Sequence, residues 1–171
     1  MNRLDGLAAQ VRSDCRVLVL GSMPGDASLS QARYYAHPRN RFWPLMERLC
    51  GVDSSLPYPE RLERLHDAGI GLWDVIAHCR RTGSLDAAIE RESIEVVPLA
   101  AVIGQWPALR MIACNGAMAA SLFQRHLWPS VQAVRPDLTV VAFPSTSPAN
   151  ASHSLDRLQA RWEVLLPALA P

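Results

Sequence analysis

Two features that many enzymes depend on are missing from this chain: lysine and closely spaced metal ligands. All 17 of its basic residues are arginine, so no lysine is available to form a Schiff base with a substrate. The four cysteines are scattered, the closest two being Cys50 and Cys79, and no C-x-x-C or H-x-x-x-H pair occurs. Zinc and iron–sulfur sites are usually marked by such pairs, so we predict no metal and no cofactor.

Long apolar runs are also missing. No stretch of 18 uncharged apolar residues exists, which excludes a membrane span, and Arg3, Asp5, Arg12 and Asp14 interrupt the N-terminal region, which excludes a secretion signal. We therefore expect a cytoplasmic protein whose thiols are free. The length of 171 residues fits one domain over residues 1–171, which we expect to be a monomer. A net charge of +1 neither requires nor excludes nucleic acid as a partner.

Short apolar segments alternate with helical patterns along the chain. We predict strands at 16–20, 70–76, 110–114 and 138–143, and helices at 41–49, 59–68, 84–91, 115–126 and 153–166, with 96–106 ambiguous. Repeated βα units with continuously apolar strands indicate a sheet that is covered on both faces. The predicted fold class is α/β, a single-domain three-layer α/β/α sandwich with a mostly parallel four-stranded central sheet.

Two polar loops, at 21–42 and 144–152, follow the first and fourth predicted strands. The glycines of the turn at 21–25 let a ligand approach the backbone, tyrosines can stack on a base, and arginines can hold phosphates. The small hydroxyls of the second loop also suit phosphate contacts. Each loop taken alone could be merely structural, but in α/β sheets ligands bind at the carboxyl ends of strands. The two loops together therefore favour a binding site.

The segment 17–46 resembles the first motif region of the uracil-DNA glycosylase superfamily. It contains a G-x-x-P-G turn at 21–25 and the string YAHPRNRFW at 35–43, and mismatch-specific uracil/thymine glycosylases carry a similar G-x-N-P-G turn and A-H-P-x-N-R-F-W segment at the same separation. The string STSPAN at 145–150 resembles the second motif, a loop that penetrates DNA. With Ser22 and the two adjacent tyrosines, the similarity is greatest to the hypoxanthine-DNA (deoxyinosine) glycosylase branch, and it covers about residues 16–152.

This resemblance implies a monofunctional DNA glycosylase of base excision repair. Such an enzyme flips a deaminated base out of DNA, hydrolyses its N-glycosidic bond and leaves an abasic site. Hypoxanthine is the favoured base, and the expected partner is DNA that contains a deaminated base. The alternatives are a uracil or xanthine glycosylase of the same fold, or a non-catalytic DNA damage-binding domain. A dinucleotide-binding oxidoreductase does not fit, because GSMPG is not G-x-G-x-x-G.

The turn departs from the mismatch uracil enzymes at Met23, where those enzymes carry an asparagine that positions the attacking water. A thioether cannot replace that amide. The resemblance to the hypoxanthine branch implies a different polar residue in this role, and Asn40 is the predicted catalytic residue, with a loop-capping asparagine as the alternative. Tyr35 is the aligned aromatic residue that would stack on the flipped base, whereas Tyr34 is either a neighbouring wall or part of the core.

Asp74 falls where the superfamily often carries a base-contacting asparagine. A carboxylate there could accept the N1–H of hypoxanthine, which adenine lacks. The alternatives are a helix cap or a partner for Arg80. For Asn115 the first interpretation is a helix N-cap and the second is a base contact. The predicted base-binding set, including main-chain donors of the turn, is Ser22, Met23, Pro24, Gly25, Tyr35, Asp74 and Asn115.

The second loop is expected to enter the minor groove. Relatives often insert arginine or leucine there, whereas this loop offers only small residues, so we expect a weak grip on undamaged duplex. His37 and His153 either assist or act as loop hydrogen-bonders. The predicted DNA-binding residues are His37, Arg39, Ser145, Thr146, Ser147, Pro148, Ala149 and Asn150.

Overall fold

Four parallel strands form the central sheet of the protein. The structure, a computed structural model, describes residues 3–171, so the first two residues of the predicted domain lie outside it. The strands are β1 (Arg3–Asp5), β2 (Val17–Gly21), β3 (Ile70–Asp74), β4 (Ile76–Arg80), β5 (Glu95–Val96), β6 (Met111–Asn115) and β7 (Thr139–Phe143). The central sheet has the order β3-β2-β6-β7, with every neighbouring pair parallel.

Eight α-helices accompany these strands in the described residues. They are α1 (Asp26–Gln31), α2 (Phe42–Cys50), α3 (Tyr58–Asp67), α4 (Leu99–Val102), α5 (Ala117–Leu122), α6 (Trp128–Val134), α7 (Leu155–Trp162) and α8 (Leu166–Leu169). A π-helical turn, Phe123–Leu127, joins α5 to α6, so the helix predicted at 115–126 continues further than expected. No helix in the described part of the chain is long and apolar enough to cross a membrane.

The central sheet is covered on both faces. Val17 and Val19 of β2 belong to one apolar cluster, while Leu18 and Leu20 belong to the other, and all four are fully buried. Helices α2, α3 and α7 contribute to the first cluster, and α4, α5 and α6 to the second. The predicted three-layer α/β/α architecture with a parallel four-stranded sheet is thus confirmed, and the continuously apolar strands are explained by this double burial.

The strand predicted at 70–76 is in fact two strands in different sheets. β3 ends at Asp74, and after Val75 the chain continues as β4, which pairs antiparallel with β1 and β5 in a small second sheet. The apolar run carries no sign of this division, because it ends at Ile76, the buried first residue of β4, and the choice of strand partner depends on distant segments.

The prediction of a helix at 84–91 is wrong. The segment forms two short 3₁₀ turns, Asp86–Ala88 and Arg91–Ser93, and Ser84 does not cap a helix. Instead, the Ser84 hydroxyl accepts a hydrogen bond from the main-chain N–H of Asp26. The Asp86 carboxylate accepts one from Ser22. These contacts with the first loop outweigh the modest helix propensity of the segment.

Candidate active site

The loops that follow the strands of the central sheet converge on one cavity of about 650 Å³. Its walls come from the turn after β2, the end of β3, the start of the segment after β6, and the loop after β7. All of the residues predicted for catalysis, base binding and DNA binding line this cavity. Residues separated by more than 100 positions are therefore brought together at the carboxyl edge of the sheet, where ligands bind in such folds.

Tyr35 is held in a strained main-chain conformation at the cavity wall. Its φ of 55° lies in the left-handed region, which costs a non-glycine residue about 1 kcal/mol or more. Its ring stacks on Phe42, with ring centroids 4.1 Å apart and planes 18° apart. One face of Tyr35 is thus covered, and only the other face is left for a base. Tyr34 is a core residue, 3 % exposed, whose main-chain oxygen accepts from Trp43.

Asn40 makes the loop-capping contact that was its alternative interpretation. Its Oδ1 accepts a hydrogen bond from the main-chain N–H of Phe42 at 2.9 Å. Because this contact fixes the amide orientation, the Nδ2 group and the second lone pair of Oδ1 are the atoms left for the cavity. The two interpretations of Asn40 are therefore compatible: the cap holds the side chain beside the cavity.

Asp74 is a buried carboxylate at the end of β3, only 5 % exposed. Its Oδ2 atom has no hydrogen-bond partner among the described residues. Burial, and secondarily the nearby charge of Asp86, raises the pKa of Asp74 to about 7, with Arg81 opposing the shift. A Cβ at Gly21 would lie 2.3 Å from Asp74 Oδ1, so this carboxylate requires glycine opposite it.

Both alternative roles of Asp74 are excluded by its surroundings. The side chain of Arg80 donates to Glu90 at 2.6 Å instead. No helix starts at Asp74, since the chain continues into β4. The carboxylate thus has no structural partner that explains it.

Arg81 and Asp86 join Asp74 to form what we call the carboxylate cluster. The Arg81 side chain is fully buried, donates to the main-chain oxygens of Pro24 and Gly83 at 2.7 and 2.6 Å, and leaves Nη1 without a partner in the described chain. Asp86 accepts from the Ser22 hydroxyl at 2.7 Å, and burial raises its pKa. Two acids and one arginine thus share a poorly hydrated environment beside the cavity.

A second group, the loop-linking cluster of Arg41, Asn115 and Thr146, connects the two loops. Asn115 Oδ1 accepts from the Thr146 main-chain N–H at 3.0 Å, and Asn115 Nδ2 donates to the Thr146 hydroxyl at 3.0 Å and to the Tyr35 hydroxyl at 3.2 Å. The predicted N-cap role of Asn115 is wrong, because Gly116 is the N-cap residue of α5 and no side chain caps it. A base contact by Asn115 would have to use the remaining lone pair of Oδ1.

Arg41 completes this cluster. Its main-chain N–H donates to the Thr146 oxygen at 3.0 Å, and its guanidinium donates to the main-chain oxygens of Ser147, Asn150 and His153. Thr146 is fully buried, so the predicted direct DNA contact by its side chain does not fit the structure. The cluster instead gives the second loop its shape.

The remaining second-loop residues are arranged around the cavity rim. The side-chain oxygens of Ser145 and Ser147 accept main-chain N–H groups two residues ahead, which leaves both hydroxyl hydrogens free for another acceptor. Asn150 donates to the Ser145 oxygen and therefore braces the loop. His37 and His153 are both loop hydrogen-bonders, through Arg39 N–H and the Ser152 hydroxyl respectively.

The turn after β2 offers main-chain donors. The N–H groups of Ser22, Met23 and Gly25 donate to no acceptor among the hydrogen bonds of the described residues. The side chain of Met23 is packed in the apolar core. Pro24 cannot serve as a donor because it has no N–H, and its oxygen accepts from Arg81, so it shapes the turn.

Comparison with known proteins agrees with this geometry. The family model described as "Uracil DNA glycosylase superfamily" matches residues 9–166, which is most of the chain. The chain belongs to the uracil DNA glycosylase superfamily. As a member it is a DNA glycosylase, a hydrolase of N-glycosyl bonds, and the family resemblance carried by the two loop motifs is confirmed.

Two relatives of this glycosylase carry the name "Hypoxanthine DNA glycosylase". The protein of Methanosarcina acetivorans is 32 % identical over 161 residues, covering 94 % of this chain and 96 % of the relative. The protein of Methanosarcina barkeri is 37 % identical over 112 residues, which cover 65 % of this chain and 70 % of the relative. A solution NMR structure from M. acetivorans, of a protein provisionally assigned as a uracil DNA glycosylase, aligns with a TM-score of 0.80 at 30 % identity and covers 98 % of this chain and 99 % of that one.

Arg81 and Asp86 are the residues of this glycosylase site that sequence reasoning missed. The segment around them reads as a solvated loop followed by a helix, because arginine and aspartate are usually exposed. Their proximity to Asp74 arises only because β4 leaves the central sheet and the chain returns over the turn after β2. No local pattern in a single sequence would have shown this.

Proposed function

We propose that this glycosylase excises hypoxanthine from DNA by flipping the deaminated nucleotide into the main cavity. The names of two relatives support this substrate. The observation that carries the proposal is the unpartnered, buried carboxylate of Asp74 at the cavity. A buried acceptor without a partner is costly, so a ligand that donates to it is strongly favoured over one that cannot.

In this proposal the base is recognised on its Watson–Crick edge and on one face. Ionised Asp74 accepts the N1–H of hypoxanthine, whereas adenine presents a lone pair at N1 and would leave the carboxylate unpaired. The free N–H groups of Ser22, Met23 and Gly25 donate to purine O6 or N7. The open face of Tyr35 stacks on the base, and such stacking contributes about 1–3 kcal/mol, which offsets much of the cost of unstacking.

Asn40 positions the attacking water in the proposed hydrolysis. The water oxygen bonds to C1′ of the sugar as the bond between C1′ and the base nitrogen breaks, and the electron pair of that bond leaves with the base. Main-chain donors stabilise the charge that develops on the leaving base. The proton lost by the water ends on the base or in solvent. Without lysine, the product is an intact abasic site and not a cleaved strand.

Contacts with DNA are proposed at the cavity rim. The free hydroxyl hydrogens of Ser145 and Ser147 suit phosphate oxygens. Pro148 and Ala149 form a small wedge into the minor groove, while His37 and Arg39 lie on the side of the first loop. We further propose that residues 1–171 form a single uracil-DNA-glycosylase-like domain that works as a monomer.

A panel of duplexes, each carrying one hypoxanthine, uracil or xanthine, tests the proposal. We expect hypoxanthine to be released fastest, with alkali-labile abasic sites as the product. Asn40→Ala should lower single-turnover excision by about 10²-fold or more, as the loss of a positioned catalytic group does. Lesion binding should stay near that of the wild type, and the fold should lose only about 1 kcal/mol, from the lost contact with the Phe42 main-chain N–H. Preferred release of uracil or xanthine would overturn the substrate assignment, and lesion binding without any release would indicate a damage-binding domain.

A further inference from the structure

A second cavity of about 250 Å³ lies against the main cavity and shares part of its wall. Tyr34, Tyr35, His37 and Asn40 line both, so the two cavities are separated by little more than the first loop itself. None of the second-loop residues lines it, so it lies on the first-loop side of the base site. We call it the Arg33–Arg61 cleft after its two cationic residues.

The two arginines of the cleft are held by aromatic rings. The guanidinium carbon of Arg61 lies 4.8 Å from the Trp43 ring centroid and 5.6 Å from that of Tyr58, and that of Arg33 lies 5.6 Å from the same Tyr58 ring. Arg61 Nε also donates to the Leu56 oxygen at 3.0 Å. These contacts orient the arginines and leave the terminal nitrogens of Arg61 free for an anion.

Neither arginine is neutralised within the described chain. No carboxylate of the described residues lies in ion-pair range of Arg33 or Arg61, in contrast to Arg48, which pairs with Asp156, and Arg135, which pairs with Asp137. Among the acids of neighbouring segments, Glu47 accepts from Ser54 and Asp53 accepts from Ser55. Glu60 and Glu63, which flank Arg61 in sequence and lie within the described part of the chain, form no ion pair with it.

The two positive charges are also close enough to affect each other. Burial lowers the pKa of Arg61, and the charge of Arg33 adds to the lowering. Guanidinium groups stay protonated throughout the physiological range, so the pair cannot relieve this repulsion by losing a proton. An anion between or beside them would do so.

We propose that the Arg33–Arg61 cleft binds a backbone phosphate of the damaged strand, next to the nucleotide whose base enters the main cavity. The planar guanidinium fork matches phosphate oxygens. Because the cleft and the base site share the first loop, a phosphate held here would lie on the opposite side of the flipped base from the Ser145–Asn150 loop. The strand would then be gripped on both sides of the lesion. This inference depends on the proposed function only in taking damaged DNA as the ligand.

The test measures binding to a duplex that carries a non-hydrolysable abasic analogue, by fluorescence anisotropy over a salt series. We expect the double variant Arg33→Gln/Arg61→Met to bind about tenfold more weakly at low salt. The slope of log Kd against log salt should fall by about 1, since the one lost phosphate contact removes about 0.9. In excision assays the loss should appear in KM more than in kcat. Arg125→Gln is the matched control, an exposed arginine that lines neither cavity, and should change neither quantity.

Folding and charge effects are separated by Arg61→Lys, which keeps the charge. Wild-type melting with a restored salt slope supports the proposal, because the slope depends on the charge and not on the guanidinium fork. A lysine variant whose salt slope stays as low as that of Arg61→Met overturns it. A second experiment adds inorganic phosphate to the protein–DNA complex at constant ionic strength. If phosphate binds in the cleft and does not compete with DNA, the assignment of the cleft to the DNA backbone is overturned. Because the abasic analogue is never cleaved, this binding test remains valid even if the protein does not excise hypoxanthine. Unchanged binding of the double variant would overturn the proposed phosphate site and would leave the proposed glycosylase function unaffected.

Discussion

The loop-linking cluster and the carboxylate cluster line the same cavity but differ in how well their polar atoms are satisfied. In the first, both amide hydrogens of Asn115, the main-chain N–H and oxygen of Thr146 and the guanidinium of Arg41 all find partners within the protein. In the second, Asp74 Oδ2 and Arg81 Nη1 are buried without partners in the described chain. Satisfied networks give rigidity, whereas unsatisfied buried groups mark places where a ligand completes the hydrogen bonding.

This difference suggests a division of labour within the site. The loop-linking cluster holds Tyr35 and the second loop in place, so its contribution is to structure. The carboxylate cluster carries a free-energy cost in the unbound protein, which binding of a donor would relieve. Stability and activity should therefore respond in opposite ways to changes in the carboxylate cluster, and in parallel to changes in the loop-linking cluster.

The largest effect is expected from Asp74→Asn. We expect kcat/KM for hypoxanthine to fall by about tenfold or more, because the neutral amide oxygen accepts N1–H more weakly than a carboxylate does. The fold should nevertheless become more stable at pH 8 by about 1–3 kcal/mol, since a buried charge is removed. Chemical denaturation and excision kinetics measure the two quantities, with the exposed Asp156→Asn as control. A variant that loses both stability and activity would show that the carboxylate is structural.

The sign of the stability change follows from the direction of the pKa shift. Folding raises the pKa of Asp74 from 3.8 to about 7, so the protonated form is favoured by the folded state. The stability that Asp74 contributes is fully present at pH values below the pKa of the carboxyl in the unfolded state. It is lost as the pH rises through about 7, the pKa in the folded state. The wild type should therefore lose stability between about pH 4 and 7 relative to Asp74→Asn.

Asn115→Ala should cost about 2–3 kcal/mol in the free energy of unfolding. It leaves the buried N–H and hydroxyl of Thr146 without partners, and it also frees the Tyr35 hydroxyl. Thr146→Val provides a graded comparison, because it removes only the hydroxyl, and should cost about 1 kcal/mol. Excision should decline in both variants in the order of their instability. Full stability of Asn115→Ala would mean that the loops hold together without this cluster.

The smallest change is expected from Arg81→Met, in the pH dependence of excision. If ionised Asp74 is the active form, excision rises with pH through about 7. The positive charge of Arg81 lowers the pKa of Asp74, so its removal should move this rise to higher pH. The measurement is single-turnover excision from pH 5.5 to 9. A profile that stays in place would separate Arg81 from the titration of Asp74 and leave it only the role of holding the turn after β2.

Prediction from sequence succeeded where local patterns carry the information. The central strands were identified because β2 and its neighbours are continuously apolar, and the two loops because their strings are distinctive. It failed where long-range contacts decide: the helix at 84–91 is absent since Ser84 and Asp86 hydrogen-bond to the first loop. Asn115 was assigned to a cap for the same reason, because its partner Thr146 lies 31 residues away.

The amino-acid sequence alone determined the layered fold and the superfamily of this glycosylase, because apolar periodicity and short motifs are local properties of a chain. The tertiary structure alone decided which polar groups are satisfied and which are not. That outcome depends on the burial and proximity of Asp74, Arg81 and Asp86, which come from separate segments. Hydrogen bonding and desolvation act through space, so no reading along the chain can assign them.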